Sequence, residues 1–149
     1  MNSRDRRNAF LYCKFRDEQY ALYVAFAKSH GMPMTAFLVA NALYYSKKGM
    51  TQKQIAETIH HSKQAVSQVM KSLLKDGYAS MEGSPEDGRA KVARLTEAGR
   101  EWCEKPVRHI TKAEDTAMSL LSPEEQAQLV ALSKRFTESL ERLVWEMED

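Results

Sequence analysis

The stretch Ser62–Asp76 constrains this chain more than any other part of it. Helical spacing places Val66, Val69, Leu73 and Leu74 on one side, and Lys63, Gln64, Ser67, Gln68, Lys71 and Lys75 on the other. No acid occurs in it before Asp76. Helices on soluble surfaces mix charge signs, so a face of cations and amides alone points to a polyanionic partner. Ser62 is an N-cap residue whose hydroxyl can accept an orphan N–H of the first turn. Gly77 suits the left-handed position that ends a helix, with Tyr78 folding back toward Leu73. Upstream, Thr51 and Gln54 form a capping box, and Met50 and Ile55 occupy the staple positions around it. Ile55, Ala56 and Ile59 make a short apolar stripe, and His60-His61 leads into Ser62. Two short helices joined by so tight a turn predict a helix-turn-helix, whose second member enters the major groove.

A hairpin follows. Tyr78–Glu82 reads as a strand, Gly83 to Gly88 as turn chemistry, and Lys91–Leu95 as the returning strand. Arg89 stands near the tip, where a long cation can reach a phosphate or the minor groove.

These residues resemble the winged helix of MarR-type transcriptional regulators. The resemblance is carried by Ser62-Lys63, Val66-Ser67, Pro85-Glu86-Asp87-Gly88-Arg89-Ala90 and Leu95-Thr96-Glu97-Ala98-Gly99-Arg100, in that order and spacing. It covers the middle third of the chain closely and both flanks by helix layout. It implies a mainly α fold, a winged helix-turn-helix with a two-stranded β-wing and long N- and C-terminal dimerisation helices. Residues 34–100 would form the DNA-binding part, and 1–33 and 101–149 the dimerisation part. Ala65 and Gln68 stand where the family often has Thr and Arg, Glu82-Gly83 replaces a commonly basic pair, and Gly88 replaces a frequent arginine. Fewer cations imply a smaller phosphate contribution to binding.

Lys63, Gln64, Ser67 and Gln68 are expected at base edges or nearby phosphates, since Gln can pair bidentately with adenine. Lys71 and Lys75 are expected at phosphate, and Ser62 at the opening of the reading helix. Thr51 and Gln52 can offer donors to phosphate from the N-terminus of the preceding helix. The resemblance implies a wing contact by Arg89, its guanidinium oriented by Asp87. Lys91 and Arg94 are further candidates for DNA contact from the returning strand, with a nearby acid as the rival partner of Arg94.

Around this centre the chain reads as helices. Asn8–Ser29 carries Leu11, Phe15, Leu22 and Phe26 on one face and stops at Gly31. Pro33 is expected at N1 of a second helix along which Phe37, Leu38, Asn41, Ala42 and Tyr45 run. Thr96 caps a helix to about Leu121, with a bend expected at Pro106. Ser122-Pro123-Glu124-Glu125 starts the last helix, whose seam is Leu129, Leu132, Phe136, Leu140, Leu143 and Met147. That seam fits either the chain's own first helix or a second copy. A homodimer on a pseudo-palindromic operator is the expectation, because one short reading helix supplies little affinity.

Charge is uneven although the net is only +2. Ser62–Lys75 holds three Lys and no acid, whereas Lys112–Asp149 holds four basic residues against nine acids. No apolar run reaches membrane-span length and MNSRDRRNAF lacks a signal-peptide core, so a cytoplasmic protein without membrane association is expected. Cys13, Cys103 and the four histidines show no ligand spacing, so neither metal nor cofactor is expected. With no Gly-rich phosphate loop, nucleophile elbow or HExxH, an enzyme is not expected.

The resemblance also implies a pocket for a small phenolic or anionic effector, with Tyr12, Arg16, Tyr20, Tyr23 and Tyr45 as candidates. The rival reading has these tyrosines filling core and interface. Cys13 invites comparison with relatives that sense peroxides through a first-helix cysteine, but it sits more than a turn later, which favours a structural thiol. The expected function is transcriptional regulation by repression. The alternatives are a thiol sensor using Cys13 and a winged-helix protein-interaction module, which Glu82, Gly83 and Gly88 keep in play.

Overall fold

Local capping chemistry sets most of the element boundaries in the computed structural model, which describes residues 2–83 and 90–147. In chain order these are α1 (Ser3–Ser29), α2 (Met34–Tyr45), α3 (Gln52–Ile59), α4 (Lys63–Lys75), β1 (Ala79–Gly83), β2 (Lys91–Leu95), α5 (Glu97–Ser119) and α6 (Pro123–Glu146). The chain is mainly helical and forms two compact units, Met1–Arg108 and His109–Asp149.

In the first unit, α1 begins earlier than the apolar pattern suggests, because the Asn2 side chain accepts the Arg4 N–H at 3.0 Å and caps it. Pro33 is the N-cap of α2 rather than its first residue, with extended φ −60° and ψ 147°. The buried face of α2 is Phe37, Val39, Ala40 and Leu43, and Tyr45 is exposed. Of the residues that run along α2, Leu38 and Asn41 are therefore only half-buried. Phe26 of α1 meets Phe37 edge-on, ring centroids 5.8 Å apart.

The capping box of α3 forms as expected: Thr51 Oγ1 accepts the Gln54 N–H at 3.1 Å, and Gln54 Oε1 accepts the Thr51 N–H at 2.9 Å. Ile55 is fully buried, and Met50 packs against the same core. His60 takes the left-handed conformation (φ 55°) that reverses the chain, and the His61 N–H closes the turn on the Ala56 carbonyl at 3.1 Å. Ser62 Oγ then accepts the Ala65 N–H at 3.1 Å and starts α4.

At the other end of α4, Tyr78 N–H donates to the Leu73 carbonyl at 2.8 Å and Gly77 N–H to Leu74 at 3.2 Å. With Gly77 at φ 74°, this is a Schellman stop. It takes up the Tyr78 N–H, so β1 starts at Ala79 and not at Tyr78. The buried stripe of α4 is Val66, Met70 and Leu73, whereas Leu74 remains 39% exposed. Steps of four and three keep Met70 under the helix, and the unbranched thioether fills the irregular gap there. Leu74 lies a further 100° round, on the far side of that stripe.

β1 and β2 pair antiparallel, from Ala79 opposite Leu95 to Gly83 opposite Lys91. Met50 adds a one-residue third strand, exchanging bonds of 3.0 and 2.8 Å with Ala93. Gly49 makes that approach feasible: at φ 75°, a Cβ on it would lie 2.5 Å from Val92 Cγ1 and 2.7 Å from the Ala93 carbonyl. Val39, Leu43, Ile55, Ala56, Val66, Met70, Leu73, Ala79 and Ala93 form the core that holds α2, α3, α4 and the sheet as one body.

Thr96 starts α5 by accepting the Gly99 N–H at 3.0 Å, while its hydroxyl donates to the Gly77 carbonyl at 2.6 Å. Trp102 stacks on Tyr78, 4.7 Å between centroids. α5 continues through Pro106 as one helix, at the cost of the bond to the Trp102 carbonyl.

In the second unit, Ser122 and Glu125 form a capping box of 3.2 and 2.8 Å with Pro123 at the first position. Gln126 Nε2 ties the preceding turn by donating to the Met118 and Leu121 carbonyls at 3.1 and 3.0 Å. α6 has no buried residue, and Leu129, Leu132, Leu140, Leu143 and Trp145 are all exposed.

Candidate nucleic-acid interface

The turn at His60–Ser62 sets the N-terminus of α3 beside the polar face of α4. Gln52, Lys53, Lys63, Gln64, Ser67, Gln68 and Lys71 line one open groove of about 670 Å³. No acid among the described residues lines it. Lys63, Gln64, Gln68 and Lys71 are exposed, and Ser67 is half-buried on the same face. The groove is rich in donors: each ammonium carries three, each amide two, and only the amide and hydroxyl oxygens accept. That is the complement of phosphate oxygens and of purine acceptor edges.

Five of the six expected α4 residues that the helix wheel set opposite its apolar side line the groove, as does Gln52; Lys75 does not. Lys53 is the residue the sequence reading missed. Its signal was its position beside Gln52 in the first turn of α3, although its ammonium also lies 4.0 Å from Glu57 in an exposed pair. Such a pair is too weak to hold it from a stronger anion. Gln52 is steadied from the wing side by a 3.7 Å contact of its amide nitrogen with Met81 Sδ. Thr51 and Ser62 do not line the groove; their side-chain oxygens are taken by the caps, and they fix the helix N-termini that face it.

The strand cations separate. Lys91 is exposed at the start of β2, opposite Gly83. Arg94 instead donates Nη1 to the Lys47 carbonyl at 3.2 Å. It lines a second cleft, of about 400 Å³, with Leu43, Tyr44, Tyr45, Ser46, Lys47, Leu95 and Arg100. Asp87 and Arg89, with the rest of the turn at 84–89, lie outside the described residues.

Of the five candidate effector residues, Tyr45 alone lines that second cleft. Tyr12 and Tyr20 are exposed along α1, Tyr23 is half-buried, and Arg16 pairs with its neighbour Asp17 at 2.9 Å. Cys13 is a half-buried free thiol. Cys103 is fully buried, and burial pushes its thiol up to about 11. At pH 8 Cys103 is therefore expected to react with a disulfide reagent about a hundredfold more slowly than in the unfolded chain, where the thiol has its ordinary value, a difference that stopped-flow absorbance reads. Among the described residues no group of three or more His, Cys, Asp or Glu gathers as a metal site, and no helix is long and apolar enough to cross a membrane.

A capped helix N-terminus, a reading helix across a tight turn and a two-stranded wing define a winged helix-turn-helix protein. A family model for the MarR family matches residues 30–90. YkoM of Bacillus subtilis (strain 168), an uncharacterized HTH-type transcriptional regulator, is 33% identical over 111 residues, which span 73% of this chain and 70% of YkoM. The chain belongs to the MarR family, and it is a transcriptional regulator rather than an enzyme. Solved structures share the fold. NMB1585, a MarR family regulator from Neisseria meningitidis, superposes with a TM-score of 0.77 at 21% identity, over 98% of this chain and 99% of its own. MepR of S. aureus, in a complex with DNA, gives 0.71 at 22% identity over 89% and 97%.

Proposed function

We propose that this chain binds double-stranded DNA through the α3–α4 groove, as a homodimer on a pseudo-palindromic operator, and represses transcription by occluding a promoter. The groove carries this reading: three lysines, three glutamines and a serine from two helices, lined by no described acid. Gln64, Ser67 and Gln68 face base edges, Lys63 a phosphate beside them, Lys53, Lys71 and Lys75 take further phosphates, and Thr51, Gln52 and Ser62 present the helix N-termini. Lys91 adds a wing contact, and the resemblance assigns a further one to Arg89 with Asp87, both outside the described residues. The fold shared with MepR, solved on DNA, supports the same assignment.

The dimer rests on apolar surface. Leu129, Leu132, Leu140, Leu143 and Met147 of the α6 seam are exposed, as are Leu11, Phe15 and Leu22 of α1. Contiguous exposed apolar stripes of this length mark association surfaces. Residues 34–100 then read DNA, while 1–33 and 101–149 hold the two copies together.

Two measurements test this. Sedimentation equilibrium is expected to give twice the 17.0 kDa chain mass, and a Leu140→Lys, Leu143→Lys double variant to give the single mass. Footprinting on operator DNA is expected to protect two half-sites about one helical turn, roughly 10 base pairs, apart. A monomer protecting one site contradicts the proposal.

A further inference from the structure

The second cleft shares no lining residue with the DNA groove. Three cations reach it from three different parts of the winged helix: Lys47 from the α2–α3 connection, Arg94 from β2 and Arg100 from α5. Both guanidiniums are held in place by backbone. Arg94 Nη1 donates to the Lys47 carbonyl at 3.2 Å, and Arg100 Nη1 to the Tyr44 carbonyl at 3.3 Å. Arg100 also stands 4.5 Å above the Tyr44 ring. A guanidinium has five donors, so one anchoring bond fixes its plane and leaves the rest to turn outward.

No carboxylate among the described residues lies within ion-pair distance of Lys47, Arg94 or Arg100. Glu104, which accepts the hydroxyl of the cleft residue Tyr44 at 3.3 Å, pairs with Arg108 at 3.5 Å rather than with a cleft cation. Like charges gathered on one concavity repel each other, and a bound anion relieves that repulsion. Leu43, Leu95 and Tyr45 supply an apolar wall beside the charges.

We propose that this cleft binds a small organic dianion, a phosphate monoester or a dicarboxylate. Arg94, Arg100 and Lys47 hold the charge, and Leu95 and Tyr45 lie against the body. Two planar forks and an ammonium suit two negative charges better than one, because each fork can take a pair of oxygens. The site does not depend on the DNA reading, and its test contains no DNA.

Isothermal titration of the full chain with inorganic phosphate, succinate and acetate, at fixed ionic strength in chloride, tests it. The expected result is saturable binding of phosphate or succinate at one site per chain, with acetate weaker by about tenfold or more; which of the two dianions binds identifies the source. Lys47→Gln removes an exposed side chain with no ion pair among the described residues, and it should weaken binding about tenfold. Arg100→Gln should do likewise with an unchanged circular dichroism spectrum, and if it misfolds, Lys47→Gln decides alone. Lys63→Gln, in the DNA groove, should leave phosphate and succinate binding at this cleft as in the parent. The proposal is overturned by no saturable heat with either dianion, by acetate binding as well as they do, or by loss in Lys63→Gln with none in Lys47→Gln.

Discussion

Gly99→Ala is expected to cost about 3 kcal/mol of stability, the upper end for overpacking, although only one methyl is added. A Cβ at Gly99 would collide with the carbonyl oxygen of Tyr78, a backbone atom with no rotamer to escape into. That carbonyl already accepts the Thr96 N–H at 3.0 Å, and Tyr78 N–H is bound to Leu73 at 2.8 Å. Moving Tyr78 therefore disturbs the end of α4, the start of β1 and the cap of α5 together. Gly31→Ala is the control: its φ of 71° strains any side chain, but nothing lies within 4 Å, so only about 1 kcal/mol is expected. Urea unfolding followed by circular dichroism, at one protein concentration, separates the two. Equal midpoints for both variants would contradict the close packing of α5 on the α4–β1 turn.

Replacing Lys63 and Lys71 together by Gln is expected to lower operator affinity about a thousandfold near 0.15 M salt. Each lysine on a phosphate contributes about 0.9 to the slope of log K against log salt, so two residues in each of two copies remove about 4. Neither lysine is in a salt bridge within the described residues, and both are exposed, so stability should stay within about 0.5 kcal/mol of the parent. Anisotropy titrations across a salt series check both the affinity and the slope. A slope that stays the same would place the phosphate contacts elsewhere.

Much of the winged helix was legible because its boundaries are local chemistry. The Thr51–Gln54 box, the Ser62 cap, the Gly77 stop and the Ser122–Glu125 box each lie within a few residues of sequence, and each forms. What the sequence could not show depends on packing direction. Met70 and Leu74 are both apolar and one turn apart, and only the position of the core decides that Met70 is buried. The buried face of α2 is not legible for the same reason, since a helix that is apolar nearly all round has no strong period to read. In the sequence Arg94 reads as a further candidate for DNA contact and Arg100 only as part of the motif after the wing. Their meeting with Lys47 is a tertiary fact, set by the close approach of Gly49 to β2. The groove was easier: most of its lining residues sit on one face of one helix, and only Lys53, on the neighbouring helix, escaped notice.

The most direct test of the central claim is fluorescence-anisotropy titration of the purified chain with DNA from upstream of its own gene, beside a scrambled fragment, at two salt concentrations. Specific reading through the α3–α4 groove predicts a preference of at least ~10³ for the native fragment, retained at the higher salt. Equal, weak binding to both fragments that vanishes as salt is added would leave only electrostatic attraction, and would contradict a sequence-reading groove.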